Sequence, residues 1–282
     1  MPQTAKQIKK AIKAIGNIKK TTKTMQLISS SKMQKNLRIW VRSKKYLEQL
    51  AHITKELGKT QKDTVDTEIV GKTLLISFAS DRGLCGSFNT KIIVRSRGLL
   101  KSGTADQVIA IGKRAGAIKN TAGDNFLALY PSGHNNLNTD VVRPVSEQVA
   151  ALISSGAISK VEVVYTRYES AFVQAVTQET VYPFAQNITE ETQSDTEYLL
   201  EPDASTIQTY LMPIYLEGIL FRCWIESAVS EHTARMQAMK NATDAAKDII
   251  TSLTLELNKT RQAAITQEIA QIMGARKSMQ PN

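Results

Sequence analysis

Apolar and small side chains recur three and four positions apart through residues 5–57, with lysines between them. Residues at that spacing share one face of an α-helix. The stripe includes Ile8, Ile12, Ile15, Met25, Met33, Leu37, Trp40, Leu47 and Leu50. Gly16 is the only glycine in this stretch and it holds no proline, so nothing within it ends a helix. The pattern predicts one N-terminal helix of about 50 residues, much longer than the average globular helix.

A second helical stripe runs from Ile214 to Met273, a stretch with no proline and a single glycine, Gly218. Its apolar face is built from Ala, Ser, Thr and Met more than from a regular repeat of Leu. Small side chains let two helices approach closely, and Met adapts to irregular packing surfaces. We therefore expect the two ends of the chain to pair as a long antiparallel two-helix coiled coil.

The middle of the chain carries short β-branched runs bounded by Gly, Pro, Asn or Asp, which predict strands. The runs lie at 73–81, 107–114, 125–132, 160–168 and 173–184. Helical patterns at 89–103 and 144–156 lie among them, and this alternation predicts a largely parallel sheet. The polar, acidic stretch 185–205 is expected to be a mobile connection.

The predicted fold class is therefore α/β, with a Rossmann-like α/β domain inserted between the two helices of a coiled coil. We place the N-terminal coiled-coil helix at 1–58, the α/β domain at 70–205, and the C-terminal helix, which pairs with the first, at 206–282.

The formal net charge of +10 comes from one part of the chain. Residues 1–60 hold 15 Lys and Arg against two acids, whereas the remaining residues hold 21 against 24. Such a basic segment can bind nucleic acid, an anionic membrane surface or an acidic protein surface, or it can be a solvated helix face. Charge alone leaves these alternatives open.

The predicted α/β domain shows little that could carry out catalysis. The segment 81–90, DRGLCGSFNT, follows a strand and opens a helix, but it lacks the spacing of a phosphate-binding or dinucleotide-binding loop. Its glycines favour a tight strand-to-helix turn instead. His52, His134 and His232 lie in unrelated contexts, so no metal site or nucleophile-base pair can be assembled from them. We expect no cofactor, no metal and no autonomous enzymatic activity.

The two cysteines, Cys85 and Cys223, lie far apart in sequence, which argues against a disulfide framework or a cysteine zinc site. Cys85 is expected to be a small buried or interface thiol. There is neither a secretory signal pattern nor an apolar run of about 20 residues. These features predict a soluble protein of a reducing, intracellular compartment.

Three blocks together resemble one family, the gamma subunit of rotary proton-translocating (F-type) ATP synthases. They are IKKAIKAIGNIKKTTKTMQLISSSKMQK (8–35), SDRGLCGSFNT (80–90) and the long segment 230–274, which begins SEHTARMQAMKNATDAAK. The resemblance covers the whole chain and is weakest over 104–200. It implies a non-catalytic central rotor shaft that couples rotation of a membrane ring to ATP synthesis at an alpha/beta hexamer and regulates ATP hydrolysis there.

The resemblance also implies partners and contact residues. The partners are three alpha and three beta subunits, an epsilon subunit and the membrane c-ring. Lys23 and Met25 match the family's segment near the beta-subunit lever, and Arg261 and Gln262 match the polar pair that bonds to a beta-subunit loop. Tyr198 and Glu201, in YLLEP, align with the segment that meets the ring. A peripheral position on the cytoplasmic face of the bacterial plasma membrane follows, without insertion into the bilayer.

Some positions depart from the family pattern. Ser87 stands where a Gly or small apolar residue is common, and Thr22 and Thr24 replace apolar residues. The cysteine-bearing insertion of thiol-regulated chloroplast relatives is absent, so redox regulation through a disulfide is not expected. The alternative function is nucleic-acid binding by the basic helix, although Trp40 and Tyr46 are the only aromatics in the first 60 residues. An α/β enzyme with coiled-coil arms is a third reading.

Overall fold

The computed structural model describes residues 4–59, 71–134, 141–170, 173–183, 201 and 203–278. The chain divides into two compact units. One unit comprises Met1–Ile28 and Met236–Asn282, and the other comprises Ser29–Arg235. Most of the expected connection 185–205 lies outside the described residues.

The two predicted terminal helices are present. Helix α1 spans Ala5–Lys59, close to the predicted bounds, and α5 spans Ala204–Ser278. The apolar stripe begins at Ile214, whereas α5 already includes the residues before it, among them Pro213. A proline removes one backbone N–H from the helical hydrogen-bond ladder, which normally ends or kinks a helix. Tyr215 and Leu216, which follow Pro213 in the helix, are buried, and their packing favours continuing the helix past the proline.

The second unit is built on a five-stranded sheet in the order β3-β2-β1-β4-β5. Its strands are β1 Lys72–Phe78, β2 Gln107–Ile111, β3 Phe126–Tyr130, β4 Ile158–Tyr168 and β5 Gln174–Tyr182. The first four strands are parallel and β5 runs antiparallel to β4. This arrangement confirms the predicted fold class of an α/β domain with long N-terminal and C-terminal helices.

Helices cover both faces of the sheet. On one face α2, Phe88–Lys101, buries Phe88, Ile92 and Leu99 against alternate residues of β1 and β2. Between β2 and β3 lie two short 3-10 turns and the one-turn helix α3, Lys119–Ala122. The opposite face packs against α4, Val142–Ser154, and against α5. Successive residues of each strand contribute in turn to the cores on the two faces, because successive side chains of a strand point to opposite faces.

Within this second unit α1 and α5 run antiparallel. Trp40 hydrogen-bonds Glu226, and a Cβ on Gly218 would lie 2.9 Å from Leu50 Cδ2, so positions rise along α1 as they fall along α5. Gly218 lets the helices approach closely. All residues of α5 from 223 to 233 are buried, so this stretch has no solvent face. A helix enclosed on every side is held by the whole domain and not by one stripe.

In the first unit the hydroxyls of Thr22 and Thr243 hydrogen-bond at 2.8 Å, one from each helix. Ile8, Met239 and Ala246 are buried in this unit. Small residues at the contact agree with the expectation that packing explains the Ala, Thr and Met stripe. No helix in the described part of the chain is both long and apolar enough to cross a bilayer.

Candidate functional site

The segment 80–90 forms a tight turn between β1 and α2, as the sequence predicts. The Ser80 amide donates to Asn89 Oδ1 at 3.0 Å, which closes the turn. Gly86 has a φ of 58° and Leu84 a φ of 63°, the left-handed region that a side chain rarely adopts. Cys85 is 1% exposed, which confirms a buried thiol, and burial raises the pKa of that thiol. Leu84 is 61% exposed at the tip of the turn.

Asp81 joins this turn to two neighbouring loops at the carboxyl edge of the sheet. Its Oδ1 accepts from the Lys113 amide at 2.9 Å, and its Oδ2 accepts from the Ser132 hydroxyl at 2.9 Å. Burial alone would raise the pKa of Asp81, but these donors hold it below its usual range. Asp81 is therefore occupied as a structural acceptor.

The loops at the carboxyl edge of the sheet also contact α5 through a second set of residues. We name this set the loop-side cluster, and its members are Ser132, His134, Trp224, Glu231 and Arg235. Trp224 Nε1 donates to the Ser132 carbonyl at 2.6 Å. Glu231 pairs through one carboxylate oxygen with His134 Nδ1 and through the other with Arg235 at 2.6 Å. Burial would raise the pKa of Glu231, but the adjacent His134 and Arg235 hold it at about 2.

Arg235 extends the loop-side cluster to the turn between β1 and α2. Its guanidinium donates to the carbonyl oxygens of Arg82 at 3.1 Å and Gly83 at 3.3 Å. The structure thus brings the block 80–90 together with the start of the block 230–274. Two of the three blocks that carry the family resemblance therefore contact each other.

His232 lies beside this contact as a neutral imidazole. Its Nε2 lies 3.3 Å from the His134 carbonyl and its Nδ1 lies 3.4 Å from the Arg235 guanidinium. A carbonyl can only accept and a guanidinium can only donate, so Nε2 carries the proton. Burial lowers the pKa of His232 to about 4.

A separate network, the sheet-side cluster, joins α5 to β4 and β5, and its members are Tyr165, Arg167, Glu179, Arg222 and Glu226. Arg222 pairs with the carboxylate of Glu179, which also accepts from the Tyr165 hydroxyl at 3.0 Å. Glu226 accepts from Trp40 Nε1 at 3.3 Å, and this contact brings α1 into the network. Burial raises the pKa of Glu226, although Arg222 and the Trp40 hydrogen bond oppose the shift.

The described contact residues that the resemblance implies lie on α1, on α5 and in the bend before α5. Lys23 and Met25 lie on α1, where Lys23 donates to Gln26 Oε1 at 3.3 Å and Met25 is 36% exposed. Arg261 and Gln262 are exposed on α5. Glu201 is exposed in a bend before α5, and Tyr198 lies outside the described residues. Their roles toward partner subunits stay predictions.

The sequence does not predict the contact between His134 and His232 beside Glu231. The histidines are separated by about 100 positions and neither sits in a recognisable motif, so no sequence signal connects them. The pairing does not create a metal centre. Among the residues that the structure describes, no group of three or more His, Cys, Asp and Glu is arranged to hold a metal ion.

Comparisons with known proteins agree with the resemblance. The model of the family described as ATP synthase matches residues 4–279. The gamma chain of ATP synthase from Desulfitobacterium hafniense is 31% identical and covers 98% of this chain and 99% of its own length. The gamma chain from Clostridium botulinum strain Kyoto is 34% identical over 95% of each chain. None of these matches supports the nucleic-acid alternative.

Two solved structures share the fold. A chain of the Euglena gracilis mitochondrial ATP synthase rotor aligns with a TM-score of 0.64 at 16% identity, covering 93% of this chain and 98% of its own. A chain of the Tetrahymena thermophila mitochondrial central stalk and c-ring aligns with a TM-score of 0.63 at 21% identity, covering 79% and 99%. With the match along nearly the whole sequence, these findings show that the chain belongs to the ATP synthase gamma chain family.

Proposed function

We propose that this chain is the central rotor shaft of an F-type ATP synthase, coupling ion-driven rotation of a membrane ring to ATP synthesis at an alpha/beta hexamer. It has no active site of its own in this role and acts on the nucleotide sites of its partners. Related chains come from assemblies described as a central stalk with c-ring, as a rotor, and as OSCP, F1 and c-ring. The proposed partners are three alpha and three beta subunits, an epsilon subunit and the c-ring.

The observation that carries this proposal is the last part of α5. Every residue from 261 to 273 is exposed, yet the segment carries large apolar side chains. These are Ile265, Ile269, Ile272 and Met273, with exposures of 45%, 57%, 68% and 61%. Clustered exposed apolar surface marks a protein-protein contact. At about 100° per residue these four side chains fall within an arc of about 100°, so they form one exposed apolar stripe along the helix that fits against a partner subunit.

The charge of α1 supports the same assembly. Lysines follow the helix through its first turns and beyond, and its first turn has no acidic residue. A long basic face attracts an acidic surface without requiring a fixed side-chain geometry, because the attraction is not directional. That property suits a shaft that turns past identical partners. We propose Lys23 and Met25 as contacts to the beta-subunit levers on this ground.

Two further contacts belong to the proposal. Arg261 and Gln262 project from the exposed end of α5 and can form charge-assisted and amide hydrogen bonds with a beta-subunit loop. Glu201, with Tyr198, is proposed to meet the membrane ring. The protein would then be peripheral, at the cytoplasmic face of a bacterial plasma membrane as part of the complex.

Reconstitution tests the proposal. The purified chain is mixed with alpha and beta subunits from the same source, and native mass and ATP hydrolysis are followed together. We expect a complex of three alpha, three beta and one copy of this chain, with steady hydrolysis that depends on it. A variant truncated after residue 260 is the matched control, because it keeps the sheet and both polar clusters while lacking the exposed apolar segment.

If the full chain neither enters the hexamer nor changes its turnover, the shaft function is wrong. The basic helix should then be tested against nucleic acid over a salt series, where affinity would fall steeply as salt rises.

A further inference from the structure

The enclosed stretch of α5 is held by polar contacts on opposite faces. At about 100° per residue, Arg222 and Glu226 lie within about 40° of each other around the helix axis. Trp224, Glu231 and Arg235 lie about 180–220° from Arg222 on the same wheel. The sheet-side cluster and the loop-side cluster therefore grip the helix from opposite directions.

The two clusters connect α5 to different parts of the domain. Arg222 reaches Glu179 on β5 and, at 3.3 Å, the hydroxyl of Tyr165 on β4. Arg235 reaches backbone carbonyls of the turn after β1. Both supports are rigid. The strand side chains belong to the packed sheet, and the turn after β1 is closed by its own hydrogen bonds, so neither yields easily when the helix is loaded.

Contacts on one face alone would leave a helix free to roll. Interdigitated apolar side chains resist both separation and rotation sterically, but dispersion and hydrophobic forces themselves prefer no direction. Hydrogen bonds and ion pairs have preferred angles and lengths. Placed on opposite faces, they oppose rotation of the helix in either sense.

We propose that residues 222–235 of α5 form a torque-bearing joint, in which the sheet-side and loop-side clusters together keep the helix from turning within the α/β domain. Arg222 and Arg235 are its two positioning residues. This inference rests on the proposed shaft function, because only a rotating shaft loads the joint. Rotation of the α/β domain then passes to the helix without slip.

Torsional stiffness of the assembled complex tests the joint. The alpha/beta hexamer is fixed to a surface, and a probe is attached to the α/β domain through Val94→Cys on α2, a position that is 64% exposed. The spread of probe angles during a catalytic pause measures stiffness. Arg222→Gln and Arg235→Gln each remove one side of the grip. Arg143→Gln is the matched control, because its half-exposed 3.6 Å ion pair with Glu217 also links α5 to the domain but lies outside both clusters.

The two supports share the load with the apolar packing that remains in each variant, so each Gln variant should lower stiffness by up to about twofold. The double variant should lower it further, and the control should match the unaltered chain. Unloaded ATP hydrolysis should stay unchanged in all of them, which separates a mechanical role from general misfolding. If a Gln variant does not assemble, Arg222→Lys and Arg235→Lys replace it, with stiffness expected between that of the unaltered chain and a twofold loss.

Rotation with unchanged stiffness in both Arg variants would overturn the joint and leave the shaft function intact. An equal loss of stiffness in the Arg143→Gln control would also overturn it. A complex of the unaltered chain that does not rotate would overturn the shaft function, and the joint would have no load to bear.

Discussion

Trp224 on α5 donates its indole N–H to the carbonyl oxygen of Ser132 at 2.6 Å, and both residues are 1% exposed. Water cannot replace either partner at that depth. The indole also lies beside the His134 ring, with centroids 5.8 Å apart. One side chain thus fills the core and satisfies a loop carbonyl beyond the carboxyl end of β3.

Trp224→Phe should therefore destabilise the chain by about 1–3 kcal/mol, because it orphans a buried carbonyl and leaves a partial cavity. Urea unfolding of the purified chain, followed by circular dichroism, measures the change. Trp40→Phe is the control, since Trp40 is the other tryptophan and donates to Glu226 at a longer 3.3 Å from a half-buried position. A loss for Trp224→Phe no larger than that of the control would contradict this account.

Two helical glycines should respond differently to alanine. A Cβ on Gly16 meets nothing within 4 Å, so Gly16→Ala should stabilise the chain by about 0.5–1 kcal/mol through helix propensity. A Cβ on Gly218 would lie 2.9 Å from Leu50 Cδ2 and 3.3 Å from Leu47 Cδ2. In Gly218→Ala the new methyl group must displace both leucines, so the variant should lose the stabilisation from helix propensity or be less stable than the unaltered chain. Thermal unfolding of the two variants is the measurement. Equal gains in stability would show that the helices are not in close contact at Gly218.

His232 should make stability depend on pH. Its pKa falls from an ordinary 6.5 to about 4 in the folded chain, so between these values the unfolded chain binds more protons. Stability then rises with pH through this window, and it is lost as pH falls from about 6.5 toward 4. The full effect is on the order of 3 kcal/mol. His232→Gln should remove that part of the slope in urea unfolding measured from pH 4 to 7.

Glu231 contributes in a lower range. Its folded pKa of about 2 lies below the ordinary 4.5, so its stabilisation is present above 4.5 and is lost as pH falls toward 2. The two groups are therefore distinguishable by pH, because His232→Gln should change the slope between about 6.5 and 4 and leave the loss of stability between about 4 and 2 in place. An unchanged slope in His232→Gln would show that this imidazole is not held neutral.

Replacing Arg261 and Gln262 together with alanine should weaken coupling in the assembled complex. Both side chains are exposed in this chain, so their removal should not change its own stability beyond about 0.5 kcal/mol. Proton pumping per ATP hydrolysed is the measurement. Lys259→Ala, an exposed basic neighbour on the same helix, is the control. Unchanged coupling and unchanged torque would count against a role for the pair at a beta-subunit loop.

The sequence by itself determined the main helices and strands and the fold class. The 3.6-residue stripe of Ile8, Ile12 and Ile15 and the apolar run at Leu74–Ile76 are local signals, because each residue's partners lie a few positions away. Alternation of strands with helices then determined a mostly parallel sheet, since a parallel pair needs a long crossover. Family membership also followed from the sequence, through three blocks and their order.

Tertiary structure alone decided how α5 is held. His134 and Glu231 are separated by 97 positions, Glu179 and Arg222 by 43, and Gly83 and Arg235 by 152. No periodicity connects such residues, because polar pairing depends on where the fold places each side chain. Pro213 shows the same limit, since packing around it carries a helix through a residue that local preference would exclude. Periodicity acts along the chain, whereas hydrogen bonds and ion pairs act through space.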